Sequence, residues 1–204
     1  LEGNARNILL KNVIPFFSLK DPRVPSVYTV SSNGKDTTKS QDGITFSRTT
    51  SIWGQTSNVS VVNGIDARLV EAEAALKAGD AAGMLAILNT LGATPIQMVP
   101  PSPTATGQHP GLTTPAMTAL SDPGTPDGRL DLFFREKALW AFGRGQRLSD
   151  MRRLIRQYGR TAANVFPVGQ HYRGGSYAAY VNLPITVGER NGNPNFSSCL
   201  DRNP

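Results

Sequence analysis

Three sets of side chains in this chain have the types that chemistry needs: the carboxylates Glu136, Asp150 and Glu189, the histidines His109 and His171, and the aromatics Trp53, Tyr172, Tyr177 and Tyr180. Two carboxylates can work as general acid and base on a glycosidic bond if their separation is fixed and one stays protonated. Glu136 and Asp150 have arginines close by in sequence, which favour the ionised form, so both read as structural partners. The histidines sit in separate turn-rich stretches without a partner at metal-ligand spacing, and the single Cys199 allows neither an internal disulfide nor a multi-cysteine metal site. Gly143-Arg144-Gly145 lacks the third glycine and the preceding strand of a dinucleotide-binding loop. The sequence therefore predicts no catalysis, no cofactor and no metal. The aromatics can do something else, which is to stack on sugar rings beside amides or acids that meet the hydroxyls. Trp53, in the polar segment Ser51 to Gln55, is the first candidate, followed by Tyr172, Tyr177 and Tyr180 in the glycine-rich tail. The competing reading of all four is that they cover the helices.

The element that dominates the chain runs from Leu132 to Leu154. Its first half sets Leu132, Phe133, Leu139, Trp140 and Phe142 on an apolar band, and its second half spaces Leu148, Met151, Leu154 and Ile155 for an amphipathic helix. Gly143 and Gly145 mark the corner between them. From Arg135 to Arg160 there are eight Arg or Lys against two acids, a surplus equal to the formal charge of +6 on the whole chain. With a pI near 9.8, such a stripe can follow phosphates or anionic headgroups. It can equally be structural, with Arg135, Arg147, Arg152 and Arg153 bridging loops, reaching helix carbonyls or pairing with Glu136 and Asp150. Trp140 and Phe142 belong to the apolar band and offer no base-stacking surface within the basic element, which favours the structural reading.

The 204 residues suffice for one domain with a sizeable core, and 20 glycines with 15 prolines imply much irregular chain around it. Tyr28, Val30, Ile44 and Phe46 alternate with polar neighbours around the turn-forming run 31–42, which predicts a hairpin. Ile65, Leu69, Ala72 and Leu76 share a helical face that stops at Gly79. Asp80 then caps a second helix carrying Met84, Leu85, Ile87, Leu88 and Leu91 up to Gly92. Residues 93–128 hold eight of the prolines and read as a long loop, either an ordered excursion across the surface or a mobile linker. After Gly159 the periodicity is lost, and short extended pieces and turns are expected.

Several of these segments resemble the SusD/RagB family of surface lipoproteins, which capture nutrients for TonB-dependent transporters. The likeness is carried by Gly64 to Asp80, by a helix start at Phe134, Arg135 and Glu136, and by the run Gly145, Arg147, Asp150, Arg152 and Arg153, where Met151 replaces the usual leucine. It closes with Val181 to Ile185, Glu189 and the Asn193-Pro194-Asn195 turn. Asp21-Pro22-Arg23 is similar to a segment midway through family members. Those members are usually more than twice as long and open with a lipidated cysteine and tetratricopeptide-like helix pairs, so the chain reads as one C-terminal region, 1–204, of something longer. The resemblance implies a mainly helical, loop-rich SusD-like fold with a tetratricopeptide-like hairpin. It also implies a place on the extracellular face of the outer membrane, a SusC-like transporter as partner and an oligosaccharide or other oligomeric nutrient as ligand, with nucleic acid not expected. Two other readings stay open. One is a basic helical adaptor that binds anionic polymers through Arg144, Arg147, Arg152, Arg153, Arg156 and Arg160; the other is a structural surface protein that has lost ligand binding.

Overall fold

The computed structural model describes residues 12–31, 33–34, 37–39, 43, 46–50, 52–54, 56–105, 107–170, 176–177, 181 and 185–196, with backbone only at 48–50. Tyr172, Tyr180, His171 and Cys199 lie outside the described residues. Among those described there are six helices and six short strands, every strand pair antiparallel, in accord with a mainly α chain. The chain divides into two compact units: one is Pro15–Arg144, and the other comprises the described parts of Gly3–Ile14 and Gly145–Pro204.

In the first unit, helix α1 (Gly64–Lys77) starts in a capping box. The Asn63 Oδ1 accepts the N–H groups of Ile65 and Asp66 at 3.0 and 3.2 Å, while the Asp66 carboxylate accepts the Asn63 N–H at 2.8 Å. Gly79, at φ +78°, turns the chain, and Asp80 caps helix α2 (Ala81–Gly92) by accepting the Gly83 N–H at 2.8 Å. Ile65, Leu69 and Ala72 of α1 are buried, as are Met84, Leu88 and Leu91 of α2. The helix hairpin expected from the sequence is present, and α1 also packs on helix α3 (Pro126–Trp140).

Helix α3 begins well before Phe134, where the sequence reading opened it. The Thr125 Oγ1 accepts the Gly128 N–H at 3.1 Å, Pro126 occupies the first turn and Asp127 complements its dipole. Leu130, Phe133, Phe134, Ala138, Leu139 and Trp140 from this one helix are buried and form the centre of the core.

Residues 93–128 are more ordered than a loop. Strand β3 (Ile96–Val99) pairs with β6 (Leu112–Thr114), and β4 (Ser102–Thr104) pairs with β5 (Gly107–His109), so the chain makes one hairpin ribbon in two successive paired stretches. Proline does not prevent this, because Pro100 lies at the junction between the paired stretches and Pro103 sits on a two-stranded ribbon whose outer edge needs no ladder donor. Gly111 lies between β5 and β6 at φ +73°, where an added Cβ would stand 2.2 Å from the Val99 carbonyl oxygen. Gly111→Ala is expected to cost about 2 kcal/mol or more, read from urea denaturation. A loss below about 0.5 kcal/mol, the ordinary surface range, would contradict this packing.

The expected hairpin around residues 28–46 is also elaborated. Strands β1 (Ser26–Tyr28) and β2 (Arg48–Thr50) pair, but the intervening run pairs as well, through the bridges Val30 with Thr37 and Lys39 with Phe46. The amides of Thr29, Ser47 and Thr38 donate in turn to the carbonyls of Ser47, Thr38 and Thr29, closing a three-way junction of backbone. A plain turn would leave those groups unpaired.

In the second unit, helix α4 (Arg147–Tyr158) buries Met151, Leu154 and Asp150 and ends at Gly159 in the left-handed region. The tail is not wholly extended as expected, since α5 (Ala162–Val165) and α6 (Val187–Gly192) are short helices. Asn12 donates to the carbonyls of Ala163 and Phe166 at 2.6 and 3.0 Å, tying α5 to the start of the described chain. The Asn193 Oδ1 accepts the Asn195 N–H at 2.9 Å, which accounts for the turn read there. No described helix is long and apolar enough to cross a membrane.

Candidate functional site

The side chain that organises the first unit is Arg23, 3 % exposed. Its Nε and Nη2 donate to the two Asp21 carboxylate oxygens at 2.8 Å each, and its Nη1 donates to the Glu136 Oε2 at 2.6 Å. The guanidinium also lies 4.9 Å from the centre of the Trp140 ring. One planar fork thus serves two carboxylates and an aromatic face, which an ammonium group cannot do. Glu136 was expected to pair with a neighbouring arginine, yet its partner comes from a distant segment. Arg135 and Glu136 are consecutive on α3 and point in different directions, so Glu136 is buried while Arg135 is exposed.

Burial pushes the Asp21 carboxyl up. The hydrogen bonds from Arg23 and the positive charges of Arg23 and Arg135 more than reverse that, holding it below the ordinary 3.8. A depressed carboxylate stabilises the fold above the unfolded value, and the contribution is lost as pH falls through the folded one. Asp21→Asn is therefore expected to flatten the acid limb of the stability curve below about pH 4. Denaturation midpoints at pH 7, 4 and 3 read this directly, and an unchanged acid limb would count against the bond.

Trp53 does not stand free in solvent. It is half-buried behind the fully buried Ile52, and the edge of its ring lies 2.5 Å from where a Cβ on Gly143 would be. Gly143 adopts φ +74°, so glycine is required there by both backbone and space. Trp53 lines a pocket of about 20 Å³, enough for about one water and too small for a sugar ring. Next to Trp53, Gly54 meets the His109 side chain, and the His109 Nδ1 accepts the Gly111 N–H at 3.1 Å. His109 is thus part of the ribbon and not a bare loop histidine. Tyr177 is half-buried in the second unit, where its N–H donates to the Gly169 carbonyl at 2.9 Å.

The arginine stripe is largely engaged. Arg144 forks onto Asp66 at 3.0 and 2.6 Å and donates to the carbonyls of Ser60 and Val61. Arg153 bonds Asp150 at 3.3 Å and Gln157 at 3.2 Å. Desolvation lowers the pKa of Arg147, only partly offset by the charge of Asp150. Arg152, Arg156 and Arg160 each have interactions of their own. The glycine of the motif, Gly145, sits at φ +76° in the corner before α4, as its place in the sequence requires.

Solvent-facing aromatic surface lies elsewhere, around the three-way strand junction. Phe17 packs on Tyr28 with ring centres 4.9 Å apart, and Tyr28 meets Phe46 edge-on at 6.1 Å. Tyr28 is 38 % exposed and Phe46 48 %, with Val27 and Val30 exposed beside them. The Lys20 ammonium sits 4.0 Å from the Phe17 ring centre, and Lys20 also lines a cleft of about 390 Å³. That cleft is walled by residues 19–23, by Leu88 and Asn89 of α2, by the 116–120 segment and by Arg135. Its far wall is fixed, because the Asn89 side chain donates to the Leu120 carbonyl at 3.2 Å and accepts its N–H at 2.7 Å. Sequence reasoning missed this site. The only available signal was the alternation that placed Tyr28 and Phe46 on strands. No cluster of metal-binding side chains occurs among the described residues. In comparison with known proteins, the chain matches no family model, no curated protein and no solved structure.

Proposed function

We propose that this chain is the C-terminal region of a SusD-like protein, without catalysis of its own, that holds an oligosaccharide or other oligomeric nutrient at the bacterial outer surface for a TonB-dependent transporter. The observation that carries the reading is the Arg23–Glu136 bond. Asp21-Pro22-Arg23 and Phe134-Arg135-Glu136 are two separately family-like segments, and this 2.6 Å contact joins them in one buried network. The α1–α2 hairpin supports a tetratricopeptide-like element. Exposed Tyr28 and Phe46, packed with half-buried Phe17, supply aromatic surface for stacking, beside a cleft within the size range of small-ligand sites. The engagement of Arg144 and Arg153 weighs against the adaptor for anionic polymers, which needs a solvated basic stripe.

The delivery step is tested by isolating the native protein from outer membranes in mild detergent. A TonB-dependent barrel in near-stoichiometric yield is the expected result. Recovery from the soluble fraction without any barrel would overturn it.

A further inference from the structure

We infer that the cleft beside the aromatic run is selective for acidic sugars, taking the carboxylate of a uronate unit between Lys20 and Arg135 while Tyr28 and Phe46 stack on neighbouring rings. This rests on the proposed capture of oligosaccharides and names the ligand class for that site. Lys20 and Arg135 are exposed, both line the cleft, and neither forms a hydrogen bond or ion pair with a described residue. The two carboxylates on the same wall, Asp21 and Glu136, do not cancel them, since both are bound by Arg23. An incoming ligand therefore meets two cations that donate no hydrogen bond to a described residue, Lys20 over the Phe17 ring and Arg135 acting on Asp21 by its charge alone. Lys20 holds a left-handed backbone conformation at φ +52°, uncommon for a lysine, and its ammonium stays over the Phe17 ring. The cation and the aromatic run are contiguous through that contact, so a chain of pyranose rings crossing from Phe46 to the cleft passes from stacking to charge pairing. A guanidinium fork matches a carboxylate in a way that it does not match a neutral hydroxymethyl group.

The test titrates the native protein by calorimetry with tetragalacturonic acid and with its methyl ester, which keeps the rings and removes the charge. At 20 mM NaCl the acid is expected to bind at least about tenfold tighter than the ester, with the gap shrinking at 500 mM NaCl. The double variant Lys20→Gln with Arg135→Gln should close the gap by weakening the acid far more than the ester, and Tyr28→Ala should weaken both probes. A cooperative urea transition of the double variant shows that it remains folded. Equal binding of acid and ester, or a gap that survives the double substitution, would overturn the acidic preference while leaving capture in place. Binding of neutral maltotetraose alone would do the same. Failure of every oligosaccharide to bind would overturn the preference and the capture reading together.

Discussion

Arg23→Ala is expected to cost the fold about 3 to 5 kcal/mol, as much as truncating a large side chain in the core. The substitution strands two carboxylates, Asp21 and Glu136, whose side chains are only 15 % and 5 % exposed, and strips the cation from the face of Trp140. Most of that cost is the desolvation of charges left without a partner, so the contrast among variants is more informative than the single number. Arg23→Lys should recover little, because one ammonium cannot fork both carboxylates. The triple change Arg23→Met, Asp21→Asn and Glu136→Gln removes every charge from the network and should be less damaging than Arg23→Ala alone. Urea denaturation at pH 7 ranks the three. A triple variant worse than Arg23→Ala would mean that the ion pairs themselves, and not the abandoned charges, carry the stability.

Arg144→Ala is expected to cost about 2 to 4 kcal/mol. Its side chain is 9 % exposed and that of Asp66 14 %, and the same Asp66 carboxylate closes the capping box at the start of α1. Four contacts to Asp66, Ser60 and Val61 are lost together, and with them the anchor of the 60–61 segment. The loss should appear as a lower denaturation midpoint and faster amide exchange at the first turn of α1. The adaptor reading predicts the opposite pattern: stability within about 0.5 kcal/mol of the parent, with a drop in affinity for polyanions. The one substitution therefore separates a structural arginine from a phosphate-binding one.

The parts of this fold that were legible in the sequence are those with a local cause. The α1–α2 hairpin follows from a helical apolar face broken by Gly79 and restarted by Asp80, and the structure places both caps there. The burial of Phe133, Leu139 and Trp140 follows in the same way from spacing. The start of α3 was missed because Thr125-Pro126-Asp127, a good helix opening, sits at the end of a proline-rich stretch that reads as loop. The ribbon at 96–114 was missed for a related reason, since prolines at a junction and on an outer edge do not prevent pairing although they obscure its pattern.

The candidate site was mostly illegible. Trp53 was chosen for its polar neighbours, yet local polarity says nothing of Gly143, whose missing side chain makes room for the ring. Phe17, Tyr28 and Phe46 come together only because the backbone around Thr29, Thr38 and Ser47 closes on itself, a non-local event with no sequence period. The Arg23–Glu136 bond spans 113 residues, and nearest-charge reasoning gave Glu136 the wrong partner. The turn of roughly 100° between Arg135 and Glu136 follows from helix geometry, and with Glu136 buried it leaves Arg135 at the surface.

Capture of an oligomeric glycan on the Tyr28 and Phe46 surface is read out by a chain-length series. The native protein is titrated with mono-, di-, tetra- and hexasaccharides, each at low and high salt, beside a Tyr28→Ala variant. Affinity is predicted to rise with length until the rings cover the aromatic run and the cleft, and to fall at every length in the variant. No retention of any saccharide, together with binding of a nucleic-acid oligomer that weakens steeply as salt rises, would overturn glycan capture and favour the polyanion adaptor.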